Sequence, residues 1–597
     1  MKLKLRTGTA LAGATVCAAA LAAGTPDRAD LRTRTYVHPE RIVWQARPEK
    51  AYGEPRFRIE KPELLLERKL GQVPEKGFWR PAGTRLAYDG DGARPGLLLD
   101  FGRELHGGVQ LGISCDAPRA MRLRLRFGES VGEAMSELGE KGSSNDHALR
   151  DLELAVPSNG SIEVGNTGFR FLRIDLVTTG SVGLDFVRAV ELMRPMRRLG
   201  GFRCSDERLN RVFETAVRTA HLCCQDRLWD GIKRDRLVWM GDLHPEFKTI
   251  LGVFGPDPVL YETLDYARAT NPDGAWMNGI PTYTLCYLRD EYELYRADGD
   301  RERLGGIRDY LVLTTKRALA CLTPSNTWET GGWAFLDWPS QHDRAGTKAG
   351  VNGAAVLALG DAAELMDALG ETSLAADCRD GVRRLRRFRG GPGDCKQAGA
   401  LLALGGIREP KEMFATCLGR RGHAGVSTFF GYYMIEAMSA AGEQRRALDT
   451  VRDYWGAMND MGATSYWENF DIAWTNGATR LDEMPVAGRK DIHGDFGEFC
   501  YLGYRHSLCH GWSSGPAAWC IERVLGLRIA APGGTVVTFD PDLGDLAWAE
   551  GAIALPRGRR VSVRVTRRAD GSCATQVDAP PDVSVKALSR VPKTQPK

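Results

Sequence analysis

The 597-residue chain lacks any block of like charge: 80 Lys and Arg nearly balance 76 Asp and Glu, for a formal net charge of +4. Nothing in that balance favours nucleic acid as a partner. Beyond residue 30 there is no apolar run long enough to span a bilayer. Walker A and HExxH motifs are both missing, which excludes the chemistry each one carries. Cysteine is present, 14 in all, but no CxxC pair accompanies a histidine pair at zinc-finger spacing, and losing Cys17 with a leader would leave an odd number. A disulfide framework is therefore not expected, and most of these cysteines read as small buried hydrophobes.

What remains is globular. Hydrophobic residues make up 43% and charged residues 26%, and the length calls for more than one domain. Lys2, Lys4 and Arg6 precede an alanine-rich stretch with Ala20-Leu21-Ala22 at its end, the layout of a cleaved leader over residues 1–23, so an exported, periplasmic or extracellular protein is expected. Residues 31–195 show short alternating runs between Gly, Pro and Asp. In one of them Leu123 and Leu125 alternate with Arg122, Arg124 and Arg126, the period of a strand with one wet face. Antiparallel β-sandwich structure is expected there. From about residue 200 to 525 the spacing becomes helical, opening with Ser205 as N-cap candidate, and the helices are separated by long loops rich in Trp and Gly. Residues 526–590 return to β, so the fold class is β, then α, then β.

The densest chemistry lies in "WDGIKRDRLVWMGDLHPE", Trp229 to Glu246. Asp230, Arg234, Asp235, Trp239 and Asp242 combine carboxylates and a guanidinium, which hydrogen-bond hydroxyls, with an aromatic face that covers the C–H face of a sugar. An ion-pair network at a helix start would have the same composition. In "MGATSYWENFDIAW" Glu468 follows Trp467 directly; a carboxylate held against a ring is desolvated and drawn toward general acid or base duty, the alternative being an exposed loop glutamate. Two converging carboxylates, one to protonate the leaving oxygen and one to activate water across roughly 6.5–9.5 Å, are what inverting glycoside hydrolysis needs. Trp333 and Trp338, in "TWETGGWAFLDWPSQHD", and His510, in "HSLCHGWSSGP", fit the lining of such a pocket.

Three segments resemble the bacterial α-L-rhamnosidases of glycoside hydrolase family 78: "DGIKRDRLVWMGD", "GATSYWENFD" and "SLCHGWSSG". The resemblance implies a six-hairpin α/α barrel between β-domains and inverting removal of terminal α-L-rhamnose from a poly- or oligosaccharide. Under it Glu468 is the general base, while Asp230, Arg234, Trp239, Asp242 and His510 hold the sugar, joined by Trp333, Trp338 and Trp467. Asp235 stands where the family usually has its general-acid Glu, one methylene shorter, with Glu246 as the alternative acid. No cofactor is implied, although a structural calcium would leave no readable motif. Another deoxy-sugar, rhamnose beside a uronic acid drawn by Lys233, Arg234 and Arg236, and a silent sugar-binding protein are the competing readings.

Overall fold

The computed structural model describes residues 29–48, 56–67, 83–90, 92–115 and 120–588. The leader assigned to residues 1–23 lies outside them.

Nine strands form one antiparallel sheet in the N-terminal part. Three long strands, Gly96–Cys115, Asn159–Leu176 and Gly180–Met193, carry most of the pairing, and the alternating segment Met121–Gly128 adds to Asn159–Leu176 with Leu125 opposite Ile174. Leu123 and Leu125 point into the core as their spacing requires, and Arg122 is exposed. Arg126 departs from the wet-face expectation, being only 1% exposed. The short helix Val131–Met135 covers its end of the sheet, and Arg126 survives burial by pairing with Asp175 (2.9 Å) and Glu137 (2.9 Å) and donating to the carbonyl of Ser136 (3.2 Å).

The chain reaches its helices through the strand Gly201–Cys204, which pairs with Trp548–Ala554 of the C-terminal part, so a four-stranded sheet joins the entrance of the helical region to its exit. A second, three-stranded sheet contains Leu527–Ile529, Val536–Phe539 and Ser584–Ala587. Between them lie the helices, including Glu207–Cys223, Pro281–Asp298, Arg344–Ala368 and Gly431–Ala440, around a core that holds Trp455 and Trp519 with both indole N–H groups bonded, to Ser513 O and Ser439 Oγ at 3.0 Å each. The helix His244–Val253 was not visible in the sequence pattern, because its first turn belongs to the charged stretch and begins with His-Pro-Glu. Among the described residues no helix is long and apolar enough to cross a membrane. Cys223 and Cys224 are buried free cysteines, and burial drives their thiols well above the ordinary range, which removes any reactive thiolate there.

The first long helix is capped by Asp206, not Ser205. Asp206 Oδ1 accepts the N–H groups of Arg208 (2.9 Å) and Leu209 (3.3 Å), while the Ser205 hydroxyl accepts the N–H of Ala547 (3.0 Å). The aspartate also takes Arg452 (2.6 Å), so it closes the helix start against a second helix. Asp206→Ala should cost about 1–2 kcal/mol in denaturant unfolding, and Ser205→Ala no more than about 0.5 kcal/mol.

Candidate active site

The charged stretch folds as a tight loop with tied ends. Asp230 N–H donates to Leu237 O (3.0 Å), and Leu237 N–H returns to Asp230 Oδ1 (2.9 Å). Inside, Asp235 and Arg236 both take left-handed backbone, φ 55° and 57°. Each such residue costs on the order of 1–3 kcal/mol unless its surroundings enforce it. Here they do: His147 Nδ1 accepts the Asp235 N–H (3.2 Å), Arg236 donates to the carbonyls of Asn166 (2.9 Å) and His147 (2.6 Å), and the Trp239 indole donates to Asp235 Oδ2 (3.1 Å). The strained turn sets the Asp235 carboxylate at the mouth of the site, partly exposed, and sends the preceding Arg234 inward.

Arg234 meets Glu468. Its Nη2 donates to Glu468 Oε1, and its Nη1 lies 3.7 Å from Asp235 Oδ1, so one guanidinium links both candidate catalytic carboxylates. Tyr501 lies beneath the cation, 5.4 Å from ring centre to Cζ. Glu468 Oε2 accepts Ser507 N–H (3.2 Å), and its carbonyl accepts Thr428 (2.7 Å) and the Trp512 indole (3.0 Å). Burial pushes the Glu468 carboxyl above its ordinary value while Arg234 pulls it back. His510 Nε2 lies 3.7 Å from both Glu468 Oε1 and Asp230 Oδ2. Burial, helped by Arg234, holds this imidazole well below its ordinary pKa and so neutral. Its Nδ1 is buried without a partner, leaving hydrogen-bonding capacity for a ligand hydroxyl.

Burial also raises the remaining acids. Asp230 is driven well above its ordinary range by desolvation and by Asp235. Asp242 is pushed up to about 8, desolvation outweighing the hydrogen bond from Tyr283 (2.7 Å). That contact needs Gly241, because a Cβ there would sit 1.9 Å from the Tyr283 ring. Glu246 is fully buried in the helix His244–Val253 beneath Gly511, with neither carboxyl oxygen bonded, and burial raises it well above its ordinary value. Sealed there, it has no path to a leaving group, which removes it as the alternative acid.

Asp230, Arg234, Asp235, Trp239, Asp242, Glu468 and His510 thus share one place. Trp333 and Trp338 form an adjoining wall, their ring centres 5.9 Å apart, with Trp338 reaching Tyr501 at 6.4 Å. Trp467 is placed differently: only 1% exposed, it packs edge-on to Phe470 (5.3 Å) and His506 (6.5 Å) in the core behind Glu468. Consecutive residues in an extended loop face opposite ways, so the glutamate that enters the pocket turns its neighbouring tryptophan out of it.

One participant was not expected, and another, Lys233, takes a different part from the one its sequence suggested. His147 comes from the polar loop "SSNDHALR", whose composition gives no sign of a site. Lys233 runs backward to Glu129 (3.1 Å), Glu133 (3.3 Å) and the carbonyls of Tyr504 (2.8 Å) and His506 (2.6 Å). Glu129, Glu133 and His493 lie close enough together to suggest a metal site. Their charge is already answered by the Lys233 ammonium, and His493 spends its nitrogens on Ser130 Oγ (2.7 Å) and His506 O (2.9 Å).

Residues 197–387 match the family model of the bacterial alpha-L-rhamnosidase 6 hairpin glycosidase domain. By this match, this part of the chain is similar to a six-hairpin glycosidase domain of the bacterial α-L-rhamnosidase type. The rhamnosidase-type match includes the loop of Asp230 to Asp242 and the Trp333–Trp338 wall, and ends before Glu468 and His510. Solved structures similar in fold include the family GH78 rhamnosidase of Bacillus sp. GL1 (TM-score 0.69, 22% identity, 83% of this chain and 53% of that one). The rhamnosidase from Klebsiella oxytoca with rhamnose bound matches at TM-score 0.64 and 19% identity, over 82% of this chain and 96% of that one. The Streptomyces avermitilis α-L-rhamnosidase complexed with L-rhamnose matches at 0.65 and 18%, over 82% of this chain. The chain spans about half the length of the Bacillus and Streptomyces proteins, 53% and 48%. No curated protein matches the chain by sequence.

Breaking the Lys233 cluster leaves buried carboxylates without their cation. Lys233→Met should destabilise the protein by about 3–5 kcal/mol, measured by denaturant unfolding.

Proposed function

We propose that the chain is an exported, exo-acting glycoside hydrolase that removes terminal α-L-rhamnose with inversion, Asp235 giving the proton and Glu468 activating water. The observation that carries this reading is the Arg234 bridge. Both carboxylates adjoin the same guanidinium, so they face one space, as the acid and the base of an inverting pair must. Glu468 is the better base because burial raises its proton affinity while Arg234 keeps the anion accessible. Asp230 and Asp242, which burial drives toward their protonated forms, the unpartnered Nδ1 of His510 and the Trp239 ring supply the hydroxyl partners and the flat face that a deoxy-sugar requires. The leader in residues 1–23 supports export.

A second reading has its own support. The Asp235 arm is one methylene shorter than a glutamate, and its carboxylate already receives Trp239 and adjoins His147 (3.4 Å). Held back in that way, it would make the protein a sugar-binding homologue without turnover.

Hydrolysis of an aryl α-L-rhamnoside separates the two. Glu468→Gln and Asp235→Asn should each lower kcat by about a hundredfold to ten-thousandfold, with L-rhamnose still bound. Binding without turnover in the unaltered protein would establish the second reading. The base must be ionised, so activity falls as pH drops through the raised pKa of Glu468, and the acid limb of kcat/KM lies above the ordinary glutamate range. Arg234 opposes that rise, so Arg234→Met moves the limb to still higher pH in a pH–rate profile.

A further inference from the structure

The cations of the charged stretch are unavailable to an anionic neighbour of the scissile sugar. Lys233 is consumed by Glu129 and Glu133, Arg234 by Glu468, and Arg236 by two carbonyls. A different cation faces a cavity beside the site. This cavity, of about 540 Å³, is lined by Trp333, Thr330, Gln341, Glu329, Arg344 and Lys348, among others. Its size suits a ligand of a few rings, within the roughly 300–1,000 Å³ of small-molecule pockets.

The cavity adjoins the side of the site that holds Asp242. Its wall contains Thr282, next to the Tyr283 that bonds Asp242, and Trp333 leads through Phe335 (4.7 Å) to Tyr283 (6.1 Å). Trp333 is 46% exposed, high for a tryptophan, and Gln341 Oε1 fixes its indole N–H at 2.9 Å. An oriented, open indole is a stacking platform for a sugar ring. Glu329 is neutralised by Lys348 (2.8 Å), whereas no carboxylate among the described residues pairs with Arg344. One platform beside one uncommitted guanidinium selects a ring that carries a carboxylate.

We infer that this cavity is the subsite for a uronic acid next to the terminal rhamnose, with its ring on Trp333 and its carboxylate on Arg344. This rests on the rhamnoside-hydrolase reading of the adjoining site. The test compares kcat/KM on a rhamnosyl-galacturonate oligosaccharide with terminal rhamnose, the same oligosaccharide after carboxyl reduction, and an aryl rhamnoside. The acidic oligosaccharide should exceed its reduced counterpart about tenfold or more, the worth of a charge-assisted hydrogen bond, and Arg344→Gln should bring the ratio close to one. Equal rates in the unaltered protein, or a ratio that survives Arg344→Gln, would overturn the inference while leaving the hydrolase reading intact if the aryl rhamnoside is cleaved. If none of the three is cleaved, the hydrolase reading fails. Calorimetric binding of the two oligosaccharides then decides the subsite: acidic preference lost in Arg344→Gln supports it, and no preference overturns it.

Discussion

The site depends on the buried pair between Arg234 and Glu468, 234 residues apart in the chain. Removing two charges from water costs several kcal/mol per ion before their attraction repays it, so such a pair is a poor way to gain stability. It is a good way to fix position. Arg234 can point inward only because Asp235 and Arg236 turn the backbone left-handed, and Glu468 can meet it only because Ser507, Thr428 and Trp512 hold its backbone and side chain. The helices supply the frame that lets these loops close on one another.

Charge economy follows from that pair. Four more acids crowd the same region, and most cannot be ionised together in so dry a place: burial raises Asp230, Asp242 and Glu246. The partly exposed Asp235 sits at the mouth with Trp239 and His147, while burial drives the deeper Asp230 and Asp242 toward their protonated forms. Behind the loop, Lys233 ties it to Glu129 and Glu133 of the N-terminal part, so the β-region is built into the site and is more than an appendage.

What the sequence revealed follows physical range. Local periodicity placed the Leu123 and Leu125 strand and most helices, since alternation and helical spacing need only neighbours. The crowding of carboxylates, arginine and tryptophan marked the loops that meet, because a site concentrates residue types that surfaces and cores disperse. Features set by distant partners were illegible. Arg126 looks like a wet-face residue until Asp175 and a covering helix bury it. Lys233 and Arg236 read as cations for a ligand until their own chain takes them. Trp467 shares its motif with Glu468 yet faces the core. His147 has no local signal at all, since its role comes from a turn 88 residues later.

The central claim is that Asp235 and Glu468 act as an inverting pair across Arg234. The most direct measurement is proton NMR of the first L-rhamnose released from an aryl α-L-rhamnoside, recorded before mutarotation. Attack by water opposite the leaving group predicts the β-anomer first. Initial release of the α-anomer would contradict it.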